Sequence, residues 1–303
     1  MSQLINDISS FLSSEGFNCR YDIIYGIDGL TVSTPDGYHK TVLILEMSPT
    51  NPKDAYLMAD LAIRCINDLW LEEEDYPLII TEDRWRTQGQ MMRARLLAHM
   101  EVFTSIFARN CEVRRIDKTM AKEFLEANHS YGHATCKHCY GLFLKRHTGH
   151  IAKEIESRSD AVSRTDYPSP GTLVAVATFS NARKWTKGDQ TIRSYEWTRY
   201  ASLPQLRLCG GMGKVLKAFI KDVQPDDIMS YADLEWSPGD VYMELGFELE
   251  SQKEPVLFSV DTDSWQRIPI KQELQAEIQE SASHRYYMNL GSNKYRLKLT
   301  DYK

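Results

Sequence analysis

Four segments decide how the second half of this chain reads. They are Tyr195-Glu196-Trp197-Thr198-Arg199-Tyr200, Gly210-Gly211-Met212-Gly213-Lys214, Ser230-Tyr231-Ala232-Asp233 and Tyr242-Met243-Glu244-Leu245-Gly246-Phe247. The first and third are rich in aromatic and small residues and read as strands. The second is a glycine turn opening an amphipathic helix, and the fourth a short helix that stops at a glycine. A helix that opens on glycines leaves backbone N–H groups free at the positive end of its dipole, which suits a pyrophosphate. The order implies an α/β unit that holds a phosphate-bearing cofactor beside a polar cleft.

Outward from this stretch, 303 residues leave room for two domains. Apolar content of 42% and charged content of 26% match an ordinary globular protein. No apolar run approaches the ~20 residues of a membrane span, so no membrane partner is expected. Met1-Ser2-Gln3-Leu4 lacks the basic start of a secretion signal. Six scattered cysteines read as a reduced, cytoplasmic chain. The net charge of −6 argues against indiscriminate coating of nucleic acid, while a local basic face remains compatible with it.

Periodicity predicts a helix over 4–15, strands over 21–25, 30–33 and 41–47, and a turn at Thr34-Pro35-Asp36-Gly37. A helix over 53–71, a strand over 78–81 and a helix over 87–108, basic through Arg93, Arg95 and Arg109, complete a first α/β domain at 1–110. A second domain, 111–268, is expected to start with a helix over 119–127 capped by Thr119. Strands at 139–145 and 172–180 flank a polar insertion, 146–171. A strand at 193–201, a helix at 212–223, strands at 228–232 and 256–261, and a helix at 241–245 follow. A C-terminal piece, 269–303, is expected to hold a helix over 271–283 and a hairpin over 286–299.

The second domain resembles the GCN5-related N-acetyltransferase fold. There the acetyl-CoA pyrophosphate sits on a turn of pattern Gln/Arg-x-x-Gly-x-Gly/Ala. Here the frame is Leu208-Cys209-Gly210-Gly211-Met212-Gly213, with Leu208 in place of the basic or amide residue. Residues 100–260 resemble the phage and bacterial branch around Mom-type DNA-modification acyltransferases. The matching pieces are the four segments above and Asn128-His129-Ser130-Tyr131-Gly132. The resemblance implies acetyl-CoA or another acyl-CoA held at Gly210, Gly211, Met212, Gly213 and Lys214. It also implies DNA as partner, since Mom-type enzymes modify the exocyclic amine of adenine. Acyl transfer needs a base for the amine proton and an acid for the leaving thiolate. Asp233 or Glu196 is the expected base and Tyr242 the expected acid. His129, Tyr131, Arg199, Ser230 and Tyr231 are the expected substrate contacts.

Plainer readings stand beside these. Strand alternation places Glu196 and Thr198 on one face, Trp197 and Arg199 on the other. A Glu196–Arg199 ion pair, a core Tyr242, and Asp233 capping the turn at Ser237-Pro238-Gly239 are all structural roles. His129, His133, Cys136, His138 and Cys139 invite zinc, but there is no second Cys pair at zinc-finger spacing, so no metal is expected. In the first domain, Asp28 (or Asp22) and Glu46-Met47-Ser48 resemble a restriction-like nuclease core with serine in the lysine position. Glu82-Asp83-Arg84-Trp85 resembles Vsr-like nuclease domains. The implied state is a degenerate nuclease fold without nuclease activity. Trp85, Trp185 and Trp236, with Arg183, Lys184 and Lys187, are candidate nucleic-acid contacts. The alternatives are a non-catalytic DNA-interaction protein, or an acyltransferase for a small-molecule or protein amine.

Overall fold

Ser2 starts the first helix: its Oγ accepts the Ile5 N–H at 3.3 Å. α1 (Gln3–Ser14) then buries Leu4, Ile5, Ile8 and Leu12, each worth roughly 1.5–3 kcal/mol. The computed structural model describes residues 2–34, 37–73, 76–146, 168–271 and 283–302. Most of the expected 146–171 insertion and 271–283 helix, and Pro35-Asp36 of the first turn, lie outside the described residues.

β1 (Asn18–Ile24), β2 (Ile27–Ser33) and β3 (His39–Leu45) form an antiparallel meander. α2 (Pro52–Glu73) then carries the chain to β4 (Leu78–Thr81), parallel to β3. Leu30, Val32, Val42 and Ile44 face the α1 core, while Ile27, Leu43 and Leu45 face the core with Ala62, Cys65, Ile66 and Leu69 of α2. The single helix expected over 87–108 is instead α3 (Glu82–Thr87) and α4 (Gly89–His99) followed by β5 (Thr104–Phe107). Gln88 at φ −127° breaks the first join. Glu101 at φ +63° turns the chain out of the helix. Arg95, expected on a basic face, is buried and donates to the carbonyls of Ile79, Glu235 and Trp236.

A 3-10 turn (Ala108–Asn110), β6 (Cys111–Arg115) and α5 (Lys118–Asn128) come next. The cap of α5 is Asp117, not Thr119: the Asp117 carboxylate accepts the Met120 N–H at 2.8 Å. Then follow β7 (His138–Leu144), β8 (Leu173–Phe179), β9 (Arg183–Lys187), β10 (Gln190–Ser202), β11 (Leu206–Cys209), α6 (Gly211–Val223), β12 (Asp227–Asp233) and α7 (Asp240–Glu244). The chain closes with β13 (Glu248–Lys253), β14 (Leu257–Asp261), β15 (Arg267–Pro269), β16 (His284–Met288) and β17 (Ser292–Lys298). The last two are not the expected hairpin. β16 pairs with β14, and β17 takes its place between β13 and β12. Gly291, at φ +79° with Lys253 O close to where a Cβ would stand, makes that exit from β16.

The fold is mixed α/β, as expected, but its two units are interleaved rather than consecutive. Unit 1 is Met1–Glu101, Tyr231–Val241 and Leu249–Lys294; unit 2 is Val102–Ser230, Tyr242–Glu248 and Tyr295–Lys303. In unit 2 the sheet runs β12-β10-β8-β7-β6, with β9 folded back on β10. α5 packs on one face around Ala121, Leu125, Cys136, Cys139 and Val176. α6 packs on the other through Phe219, stacked on Phe179 at 3.8 Å. Among the described residues no helix is long and apolar enough to cross a membrane.

Candidate functional site

In unit 2 the ladder between β10 and β12 is short. β10 and β12 run parallel in register only at Ser194–Asp227, Tyr195–Ile228 and Glu196–Met229. At the next position the ladder stops, and Ser230 Oγ lies 3.0 Å from the Trp197 carbonyl. The same oxygen lies 2.9 Å from the Tyr242 hydroxyl. Ser230 has one proton, and a carbonyl only accepts. Ser230 therefore donates to Trp197, and Tyr242 donates to Ser230. Tyr242 is held for this by rings on three sides: Tyr295 stacked at 5.3 Å, Phe247 and Trp197 edge-on at 5.5 and 6.2 Å. Burial raises its pKa, so the phenol keeps its proton near neutral pH. Tyr295 carries no signal in the sequence; it comes to Tyr242 only through the strand order.

On its other side β10 departs from simple alternation. Trp197 pairs with Phe179 of β8, but Arg199, not Thr198, pairs with Thr178. Thr198 is the extra residue of a bulge, satisfied by the Thr178 hydroxyl and carbonyl at 2.8 and 3.0 Å. The bulge turns Arg199 onto the face opposite Trp197, which corrects the expected sharing of faces: Glu196 and Arg199 lie on the α5 side. The expected Glu196–Arg199 ion pair is not formed among the described residues. Arg199 donates Nε to the Gly132 carbonyl at 3.1 Å and Nη1 to the Thr198 carbonyl at 2.8 Å. Burial lowers its pKa, and the nearby Glu196 charge opposes that shift. The half-buried Glu196 carboxylate has no hydrogen-bond or ion-pair partner among the described residues.

Gly132 belongs to a tight loop after α5. Its own N–H returns to the His129 carbonyl at 2.8 Å, at φ +58°. His129 Nδ1 accepts the Tyr131 N–H at 3.1 Å, and Tyr131 is exposed. These two expected contacts therefore sit on the loop that anchors Arg199, on the α5 side.

The glycine turn forms as its composition requires. Gly210 at φ +75° is the cap of α6. The helical ladder begins with the Lys214 N–H to the Gly210 carbonyl at 3.0 Å. The N–H groups of Gly211, Met212 and Gly213 thus lead out of the helix end. A Cβ at Gly211 would stand 2.5 Å from the Tyr200 hydroxyl and 2.8 Å from Leu208, so packing alone demands glycine there. Gly213 is tight against Leu245 at 3.2 Å. Lys214 gives its ammonium to the Ala108 and Cys111 carbonyls at 2.8 and 2.6 Å, tying the 3-10 turn to α6.

Asp233 and Tyr231 fall in unit 1. Asp233 binds Arg84 at 3.3 Å and accepts the Glu235 N–H at 2.9 Å. Its carbonyl takes the N–H groups of Trp236 and Ser237, so it closes the turn over 233–237, one turn ahead of the expected Ser237-Pro238-Gly239. It is one of three acids, with Asp83 and Glu235, that meet Arg84, Arg95 and Arg267 inside unit 1. Arg84 reaches Glu235 at 2.6 Å, Arg267 holds Asp83 and Glu235, and Tyr287 donates to Glu235 at 2.9 Å. The Vsr-like Glu82 accepts the Met47 N–H and holds Arg86. Asp28 accepts from Tyr21 at 2.6 Å. Glu46 Oε1 is buried without a hydrogen bond among the described residues.

Cys136 and Cys139 place their sulfurs 3.4 Å apart in the α5 core. Burial and the neighbouring thiol push Cys139 up to about 12. Among the described residues no group of three His, Cys, Asp or Glu is arranged to hold a metal ion.

No family model matches the chain, and no curated protein matches it. Solved structures that are similar in part include two acetyltransferases. One is yncA of Salmonella typhimurium, described as an acetyltransferase with its cofactor acetyl-CoA; it shares 16% identity over 64% of this chain and 96% of that one, at a TM-score of 0.33. The other is a GNAT-family acetyltransferase of Bacillus anthracis, 12% identical over 62% of this chain and 95% of that one, at a TM-score of 0.31. At such TM-scores neither likeness decides the chemistry, which the geometry of unit 2 has to carry.

Proposed function

We propose that unit 2 is an acyl-CoA-dependent N-acyltransferase of the GCN5-related kind. The observation that carries this reading is the parting of β10 and β12 after Glu196 and Met229. It leaves an opening with a carboxylate on one side and a proton-bearing tyrosine on the other. Bound acyl-CoA supplies a thioester whose acyl carbon passes to an amine. The outward N–H groups of Gly211, Met212 and Gly213 would hold its phosphates. With Leu208 where the motif carries a basic or amide side chain, that hold rests on the backbone. Glu196, whose carboxylate accepts no hydrogen bond among the described residues, takes the proton from the attacking amine. Tyr242, whose hydroxyl rests against Ser230 Oγ, would turn its proton from Ser230 to the leaving thiolate and recover one from solvent. Arg199, fixed by Gly132, stands beside the base and orients the acceptor.

For the acceptor we take the exocyclic amine of a DNA base, as the Mom-like segments imply. The exposed Arg183, Lys184 and Lys187 on edge strand β9 support a phosphate-bearing partner. Unit 1, in this reading, derives from a restriction-like nuclease. Its order of one helix, three strands, a helix and a fourth strand supports that, and Ser48 replaces the lysine such chemistry needs.

Calorimetry with CoA tests the cofactor, using wild type and Met212→Asp. An aspartate in the first turn of α6 favours the helix while setting a carboxylate among the phosphate-binding N–H groups. Binding in wild type and its loss in a well-folded Met212→Asp are expected. No binding to wild type at millimolar CoA overturns the transferase. Mass gain of one acyl group on an oligodeoxynucleotide, rather than on a polyamine or peptide, tests the acceptor.

A further inference from the structure

Unit 1 carries a cleft of about 600 Å³, lined by Leu4, Asp7, Trp85, Arg86, Gly89, Gln90, Arg93 and Trp265. That volume suits a ligand of nucleotide size. Two guanidinium groups stand over two indole rings. Arg86 stands 4.3 Å from the centre of the Trp265 ring, and Arg93 4.7 Å from that of Trp85. Over Trp265, the far side of the Arg86 guanidinium can serve as a stacking plane for a flat ring, with N–H groups around its rim.

The charges around the cleft are unequally spent. Arg86 gives Nε and Nη2 to Glu82 at 3.0 and 2.7 Å and keeps Nη1. Exposed Arg93 has no carboxylate partner among the described residues; Phe11 and Trp85 are its neighbours. Gly89 secures its place, since a Cβ there would stand 2.7 Å from Arg93 Nη1. Asp7 is held by Gln3 at 2.7 Å. Trp265 is presented with effort. It sits at φ +57°, a conformation a bulky side chain rarely adopts, in a turn where Asp261 accepts from Ser264 and Trp265. An unpaired cation, a guanidinium–indole stack and a strained tryptophan meet around one opening.

We propose that this cleft binds a nucleotide unit, with its base stacked on the Arg86–Trp265 pair and its phosphate on Arg93. The source is either a free nucleotide or a single strand of nucleic acid. The site stands apart from the transferase reading, because all its lining residues belong to unit 1.

The test uses the full chain at low salt. A fluorescein-labelled oligodeoxyadenylate is followed by anisotropy, and dAMP and inorganic phosphate by quenching of tryptophan emission. The variants are Arg93→Ala, Trp265→Leu and Gly89→Ala; the last favours the helix while displacing Arg93. We expect wild type to bind, Trp265→Leu to weaken binding about tenfold, in line with base–aromatic stacking, and Arg93→Ala to weaken it at low salt through the lost phosphate contact. Arg93→Ala should also lower the salt slope by about one. Gly89→Ala should weaken binding in the same direction, which separates loss of the site from loss of the fold. Met212→Asp should leave this binding unchanged, so failure here and failure of CoA binding are distinguishable. Saturable binding of dAMP identifies a free nucleotide; binding of the oligomer alone identifies a strand. No binding of either at millimolar concentration, or binding that the three variants leave unchanged, overturns the proposal. So does inorganic phosphate matching dAMP, because the stacking plane would then contribute nothing.

Discussion

Three acid-to-amide substitutions, Glu235→Gln, Asp233→Asn and Glu196→Gln, separate a carboxylate held for structure from one held for chemistry. Glu235 is fully buried and touches Arg84, Arg267 and Tyr287. Neutralising it leaves three guanidinium groups facing two acids in the interior of unit 1. Breaking a buried pair in this way costs about 3–5 kcal/mol, which at roughly 2–4 °C per kcal/mol for a unit of this size lowers its Tm by roughly 6–20 °C. The Asp233 side chain is 18% exposed, meets Arg84 at 3.3 Å, and its Oδ1 contact survives as an amide oxygen. Its loss should cost about 1–2 kcal/mol, between the surface and buried limits. Glu196 makes no hydrogen bond or ion-pair contact among the described residues and meets the Arg199 charge only at longer range, so Glu196→Gln should cost less than about 1 kcal/mol, below Asp233→Asn. Scanning calorimetry of the four proteins in one buffer reads the order directly. If Glu196→Gln destabilises as much as Asp233→Asn, or if Asp233→Asn is silent, Glu196 is a structural residue and its assignment as base falls.

Tyr242→Phe keeps the stack on Tyr295 and the edge contacts to Trp197 and Phe247, so it should fold and bind CoA as wild type does. Its acyl transfer should drop roughly 10²–10⁴-fold, the usual worth of a general acid; equal rates would remove Tyr242 from the chemistry. Burial lowers the pKa of His138, whose Nδ1 has no hydrogen-bond partner among the described residues. A depressed folded-state pKa contributes stability that is full above the unfolded value of about 6.5 and is lost as pH falls through the folded one. Unit 2 should therefore weaken on acidification from neutral pH, and His138→Phe should flatten that dependence in urea melts at stepped pH. Plasmid DNA with Mg²⁺ or Mn²⁺ should stay intact, because Ser48 holds the lysine position; cleavage that Glu46→Ala abolishes would reverse that reading of unit 1.

Local chemistry is legible in the order of the residues. Gly210 needs a left-handed conformation, and the apolar spacing of 212–223 needs a helix, so the turn that opens α6 follows from sequence neighbours alone. The meander β1 to β3 and its return through α2 follow from period-two and period-3.6 patterns for the same reason. What the sequence could not contain was any event set by a distant partner. The bulge at Thr198 is decided by how β8 pairs with β10, and it moved Arg199 to the other face without altering the residue pattern. Asp233 ends its strand as expected, yet Arg84, some 149 positions away, claims its carboxylate. Arg95 reads as a surface cation by helix periodicity and lies in the interior because the Glu235 and Trp236 carbonyls wait there. The 286–299 hairpin gave way because β14 and β13 supply better partners for its two halves. Short-range preferences select elements within a few residues; pairing, burial and charge neutralisation are sums over the whole chain, and only the folded tertiary structure evaluates them.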